Sequence, residues 1–260
     1  MFFRLNRFVF NRNRDFSNDD VFFFIHIMKA SGTSFRNMLW PLFQRKDIWP
    51  NRNNILTTRT NWYPPLNEIP VMDSKVGKRL RLIAGHYPFA ASELFSKTPR
   101  YLVFLRHPVD RTVSFLKHAR SNAPQYQGKS LREVYNDIKL RKHMICNYQT
   151  KQFSFNGIEE YYSFEKELVV DKERLGIAKK NLKKCDFVGL SEEFAKSIKL
   201  CEKIFGWEFK RILNDNISKD DVEIEDRLIE DIKKEVALDL EFYSFAVERF
   251  RDLTSEYSIG

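Results

Sequence analysis

The sequence predicts an α/β fold in which a central parallel sheet is flanked by helices, and three observations lead there. Short, nearly continuous apolar runs recur at residues 21–27, 80–84, 101–105 and 187–190. They are too short for helices and too continuous for half-exposed strands, the pattern of parallel strands buried on both faces. Three of the runs precede apolar residues at helical spacing: Phe35, Met38, Leu39 and Phe43; Phe115 and Leu116; Phe194, Ile198, Cys201 and Phe205. The chain also has no internal repeat and no low-complexity linker, so residues 21–260 read as one domain behind a basic tail at 1–20.

The first run is the most informative. In VFFFIHI only His26 is polar, and the chain then turns abruptly to Met28-Lys29-Ala30-Ser31-Gly32-Thr33-Ser34. Small and hydroxylated residues let a turn close tightly, with Thr33 or Ser34 where the next helix begins. A strand, a tight turn carrying a lysine and a helix N-terminus together form an anion cradle. This reads as a phosphate-binding loop, although the Walker order G-x-x-x-x-G-K-[ST] is absent, because Lys29 precedes Gly32. The plain alternative is an ordinary strand-to-helix turn with a solvated lysine.

Residues 46–78 follow as a proline- and asparagine-rich loop region with the length of a functional lid or binding loop. Trp49, Trp62 and Tyr63 in it either stack on a sugar ring or anchor the loop, and anchoring is the reading favoured here. The run at 80–84 ends in Gly85-His86-Tyr87-Pro88. Ligands in open parallel sheets bind beyond the carboxyl ends of strands, so His86 belongs on the same edge as Lys29. The run at 101–105 leads into Arg106-His107-Pro108, with Pro108 suited to a first helical turn. Arg106 stands at the strand end, and Arg111 and Ser114 are i,i+3 neighbours on the new helix. An arginine fork with a nearby hydroxyl suits a phosphate.

The remaining elements are less telling. Ser130 to Glu133 is a capping box opening a helix with Leu131, Val134, Tyr135 and Ile138 on one face. The polar cluster at 147–151 either faces a ligand or is a solvated turn. Residues 171–184 form a basic helix. Ser191 caps a helix stopped by Gly206, and residues 228–250 form a long amphipathic helix with room for one break.

Composition narrows the class. A formal net charge of +9 over 260 residues points to anionic partners. The aromatics are mainly Phe, 24 against 10 Tyr and 4 Trp, which fills core rather than stacking on bases, so nucleic acid is not the expected partner. Three distant cysteines without C-x-x-C spacing predict neither a disulfide framework nor structural zinc, and no metal site is expected. No run reaches the ~18 apolar residues of a membrane span, and Arg4 and Arg7 interrupt the aromatic N-terminus, which fails as a signal peptide. The expectation is a soluble, cytoplasmic protein, with peripheral contact to an anionic membrane open to the basic tail. No apolar run ends in the Asp that P-loop NTPases use to hold magnesium, poor equipment for Mg-ATP.

Three segments in order, FIHIMKASGTSF, AGHYPF and FLRHPVDRTVSF, resemble the sulfotransferases that use 3′-phosphoadenosine 5′-phosphosulfate (PAPS), above all the carbohydrate enzymes grouped with heparan sulfate 2-O-sulfotransferase. ICNYQTKQF, DFVGLSEEF and LDLEFYSFAVERF are similar to weaker signatures of that group, so the resemblance covers about half the chain. It implies a three-layer P-loop-type α/β fold. It also implies that Lys29 with Ser31, Gly32, Thr33 and Ser34 holds the 5′-phosphosulfate and that Arg106 and Ser114 hold the 3′-phosphate. His86 matches the general base, Lys29 would meet charge on the leaving oxygen, and PAP is the product. The acceptor implied is a saccharide or glycoconjugate, whose identity and sulfated position the sequence leaves open. The loop departs from the usual I-P-K-T-G/A-G-T-S, with Met28 for proline, Ala30 for a hydroxyl residue and Ser31 for a small one, which bears on cofactor affinity. The competing expectations are a metal-dependent kinase or NTPase and a non-enzymatic polyanion-binding module.

Overall fold

The computed structural model describes residues 20–50, 80–95, 97–164, 168–210 and 224–260. The N-terminal tail to residue 19, most of the 46–78 loop region, Trp62 and Tyr63 lie outside the described residues.

Five strands make one all-parallel sheet: β1 (Phe22–Ile25), β2 (Ile48–Trp49), β3 (Leu82–Gly85), β4 (Arg100–Leu105) and β5 (Phe187–Leu190), in the order β2-β3-β1-β4-β5. The helices are α1 (Gly32–Leu39), α2 (Pro108–Asn122), α3 (Leu131–Tyr135), α4 (Ile138–Met144), α5 (Tyr148–Ser154), α6 (Ile158–Phe164), α7 (Lys172–Lys183), α8 (Phe194–Phe205), α9 (Asp226–Glu235) and α10 (Ala237–Glu256). None of the described helices is long and apolar enough to cross a membrane.

Alternation along the strands sorts the aromatics onto two faces. On one face Phe35 of α1 packs on Phe24 of β1, Phe104 of β4 and Phe187 of β5, with ring centroids 5.0, 4.9 and 5.7 Å away, and Phe194 of α8 joins at 5.3 Å from Phe104. On the other, Phe23 meets Phe95 and Tyr101, and Tyr101 stacks on Phe89. Phe89 leads to Phe153 of α5 and on to Phe242 of α10. The expected α/β architecture, a central parallel sheet between helical layers, is therefore the one observed. Helix α2 departs from it. Its Val109, Phe115, Leu116 and Ala119 bury in a second apolar cluster with Leu131, Val134 and Tyr135 of α3 and Leu228 and Ile232 of α9.

Several local expectations need correction. The loop region contains an edge strand, β2, whose Trp49 is buried as an anchor. Ile138 does not extend the α3 face: α3 ends at Tyr135, Asp137 caps α4 through the Leu140 N–H, and Ile138 is 60% exposed. Ser191 does not cap α8, which starts two residues later behind Glu193. The one break for which the last helical stretch left room is there, at Val236 between α9 and α10.

Candidate functional site

The carboxyl ends of β1, β3 and β4 are adjacent, and the chain leaves β1 toward β2 on one side while β4 leads to β5 on the other. Such a switch point opens a crevice in a parallel sheet. The residues that follow these strands are His26, His86 and Arg106, and the loop from Met28 to Ser31 lies over them.

That loop is strained. Lys29 and Ser31 both take left-handed backbone angles, φ 67° and 56°, where non-glycine residues are uncommon. Ser31 occupies the N-cap of α1 without a side-chain cap bond, so the helix begins at Gly32 rather than at Thr33 or Ser34. The first-turn N–H groups of α1 therefore lack the usual capping oxygen from that side chain. Ala30 is fully buried in the core, which gives a reason for an apolar residue there, and Ser34 is buried beneath the turn, whereas Thr33 is partly exposed.

Two arginines hold the loop from below. Arg106 Nη1 donates to the Lys29 carbonyl at 3.3 Å, and Arg111 Nε donates to the Met28 carbonyl at 3.1 Å. Arg111 is fully buried, also donates through Nη1 to the Met144 carbonyl, and lies 4.1 Å over the Tyr148 ring. Burial lowers its pKa to about 10, against the attraction of Tyr148 and Asp239, so it stays charged at neutral pH. Arg111 is therefore a structural strut, while Ser114, one turn further on, is partly exposed.

His86 is set by a hydrogen bond from below. Its Nδ1 lies 2.7 Å from the carbonyl oxygen of His26. A carbonyl only accepts, so the proton is on Nδ1 and the lone pair of the neutral ring is on Nε2. Burial brings its pKa down to about 4 against that bond, with Arg36, Arg111 and His118 pushing the same way as burial. The buried His26 ring lies 4.2 Å from it, and burial, then His86, Arg36 and Lys29 hold His26 neutral. Gly32 makes room for His26: a Cβ at Gly32 would fall 1.9 Å from His26 Cδ2. Gly85 does the same for the Tyr87 ring.

Arg106 is fixed through its backbone. Gln149 accepts from the Arg106 N–H at 3.1 Å and donates to the Arg106 carbonyl at 2.8 Å. Gln149 is held in turn where the N-termini of α5 and α10 cap each other. Asp239 accepts from the Gln149 and Thr150 N–H groups and the Thr150 hydroxyl, and Asn147 Oδ1 accepts from the N–H groups of Leu238 and Asp239. The polar cluster at 147–151 is thus not a solvated turn: Gln149, Thr150 and Lys151 are buried. The His107 N–H donates to Glu192, which also accepts from Tyr243 Oη.

Charge gathers here. Burial, then Arg106 and Arg111, lowers the pKa of Lys29, and burial, then Lys29, lowers that of His118. Lys29, Arg106 and Arg111 are thus drawn together, with Asp239 acting on Arg111, and cations so gathered favour an anion beside Lys29. Three of the expected site residues, Lys29, His86 and Arg106, thus meet at one edge.

Sequence reasoning met Gln149 only within the polar cluster at 147–151 and gave Asp239 no role. His26 was visible as the one polar residue in an apolar run. The cysteines are free, and Cys146 donates from Sγ to Glu235, its thiol pushed up to about 12 by burial and by that carboxylate. No group of His, Cys, Asp and Glu among the described residues has the arrangement of a metal site. No protein-family model and no curated protein sequence matches the chain.

Proposed function

We propose that the chain is a sulfotransferase that moves the sulfuryl group of PAPS to an acceptor hydroxyl, the acceptor being a carbohydrate or glycoconjugate. The observation that carries this reading is the convergence of Lys29, Arg106 and His86 at one sheet edge, with the His86 lone pair on Nε2. The motif resemblance supplies the identity of the donor and the class of acceptor. Lys29 and the first turn of α1 would hold the 5′-phosphosulfate, and Arg106 with Ser114 the 3′-phosphate. PAPS supplies an activated sulfuryl group, whose bond to the nucleotide phosphate breaks as the acceptor oxygen attacks sulfur. His86 Nε2 takes the proton of the acceptor hydroxyl as that attack proceeds, and Lys29 meets the negative charge that builds on the departing oxygen. Catalysis of this kind is mostly positioning and charge stabilisation.

Thermal shifts with PAP, ADP and Mg-ATP test the donor site. Ligand at 100 times its Kd adds about 2.7 kcal/mol of stability. The expected result is a large shift with PAP and little with the other two. A preference for Mg-ATP would replace the reading with a metal-dependent kinase or NTPase. Binding of PAP no better than of any polyanion, lost uniformly with salt, would replace it with a polyanion-binding module. His86→Ala is expected to cut turnover by about 10²–10⁴-fold with PAP affinity nearly unchanged.

A further inference from the structure

The pairing of β1 with β3 continues one residue past the strands. Ile25 stands opposite Gly85 in the parallel register, and the His26 N–H donates to the Gly85 carbonyl at 2.9 Å. His26 and His86 are therefore the next cross-strand neighbours, and their rings share one face. Phe24, two residues before His26, points to that face as well and meets Phe35 of α1. The histidine pair thus lies on the α1 side of the sheet, where that helix begins.

The buried His26 ring has a neighbour on each of three sides. Phe24 stacks on it with centroids 5.4 Å apart and planes 16° from parallel, and His86 lies 4.2 Å away at 35°. The third neighbour is Gly32, the first residue of α1. A Cβ there would fall 1.9 Å from Cδ2 and 2.2 Å from Nε2 of His26. That position is one bond from the Gly32 Cα, so the backbone at the start of α1 rests directly on the imidazole. On the other side, the His26 carbonyl holds Nδ1 of His86. A hydrogen bond fixes one atom of a ring, and a flat face packed against it fixes the tilt. His26 supplies both, the first through its backbone and the second through its side chain.

We propose that His26 is a positioning residue whose ring, wedged between Gly32 and His86, ties the aim of His86 Nε2 to the place of the first turn of α1. An anion seated on that turn thereby sets the base. On the sulfotransferase reading, on which this inference rests and which it deepens, that anion is the 5′-phosphosulfate. The donor then aligns the imidazole that takes the acceptor's proton.

Two variants separate positioning from packing. His26→Leu keeps an apolar side chain in the buried space without a flat face, and His26→Phe restores one. With PAPS saturating, His26→Leu is expected to lower kcat by about 10²-fold, the cost of a group displaced by about 1 Å, while the Kd for PAP changes less than about threefold. His26→Phe recovers most of that loss. In long-range proton–nitrogen spectra, the His86 Nε2 resonance moves when PAP is added to wild type and moves much less in His26→Leu. His26→Asn, which keeps the first half of the imidazole, carries the same readouts if the leucine variant does not fold.

A ring that only filled the core would change the melting temperature and leave kcat of the folded, PAPS-saturated protein alone. His26→Leu turning over within threefold of wild type, or His26→Phe no faster than His26→Leu, overturns the positioning role. A PAP-induced movement of the His86 resonance as large in His26→Leu as in wild type overturns the link to α1. If wild type neither binds PAP nor transfers sulfate, the sulfotransferase reading fails by itself, and inorganic sulfate becomes the probe of the turn. A His86 resonance that follows sulfate in wild type and not in His26→Leu then upholds the link. One that stays fixed in wild type, or follows sulfate equally in both, overturns it.

Discussion

His86 is neutral for two separable reasons, burial and the cations around it, and both have a consequence in acid. Its pKa falls from an ordinary 6.5 in the unfolded chain to about 4 in the folded one. The unfolded state therefore binds the proton first as pH drops. The contribution of the neutral ring is fully present above pH 6.5 and is lost progressively as pH falls to about 4. A shift of that size corresponds to as much as ~3 kcal/mol, and His26, depressed in the same direction, adds to it. Urea unfolding at pH 7 and pH 5 is expected to show a clear loss at the lower pH, and His86→Phe a much smaller one. Equal slopes in the two proteins would remove His86 as the source. The contact beneath this pair gives a second test. Gly32→Ala would drive a methyl into the His26 ring, an overpacking cost of about 1–3 kcal/mol. In a double-mutant cycle with His26→Ala the cost should largely vanish, because the ring that clashes is gone. Additive losses would mean that the glycine is needed for something other than that approach.

At the scale of elements, the reciprocal caps between α5 and α10 decide where Arg106 stands. Two helix starts some 90 residues apart in the chain exchange side chains, Asn147 onto the N-terminus of α10 and Asp239 onto that of α5. The product is a fixed Gln149 gripping both backbone groups of Arg106. Gln149→Ala leaves a buried N–H and carbonyl without those bonds, at about 1–3 kcal/mol. The same loosening should weaken PAP binding by about tenfold, equivalent to ~1.4 kcal/mol. Unfolding curves and PAP titrations separate the two effects, and an unchanged PAP affinity in a destabilised variant would show that Gln149 supports the fold alone. Sequence reasoning reached β1, β3, β4 and β5, the proline at the start of α2, the Ser130 capping box and the Gly206 stop because each is a local signal. The capping pair is not local. Asn147 and Asp239 are ordinary polar residues until tertiary packing brings them together, so 147–151 read equally as a ligand-facing cluster or a solvated turn. Ser191 looked like a cap for the same reason: a hydroxyl before an apolar helix is the right chemistry, but the chain takes two more residues to turn off β5.

Over the whole molecule, the site is a concentration of positive charge that the fold maintains against its own stability. Lys29 is partly buried, beside Arg106 and the fully buried Arg111, on a backbone angle that disfavours any side chain. Each condition raises the free energy of the ligand-free protein, and strain and like charge of this kind gather where a ligand is bound. Replacing the lysine by an uncharged chain of similar length removes the desolvated ammonium and its repulsion while leaving the backbone strain equal. Lys29→Met is therefore expected to stabilise the ligand-free protein by about 0.5–2 kcal/mol, the range of stabilising substitutions at functional positions. The same variant should lose most of the PAP-induced thermal shift, so that the order of melting temperatures reverses once PAP is added. Parallel melts of the two proteins with and without PAP decide it. A variant less stable than wild type without ligand would mean that Lys29 is held by favourable contacts and that the charge cluster is structural. A variant that gains stability and still binds PAP with full affinity would move the anion site away from this loop.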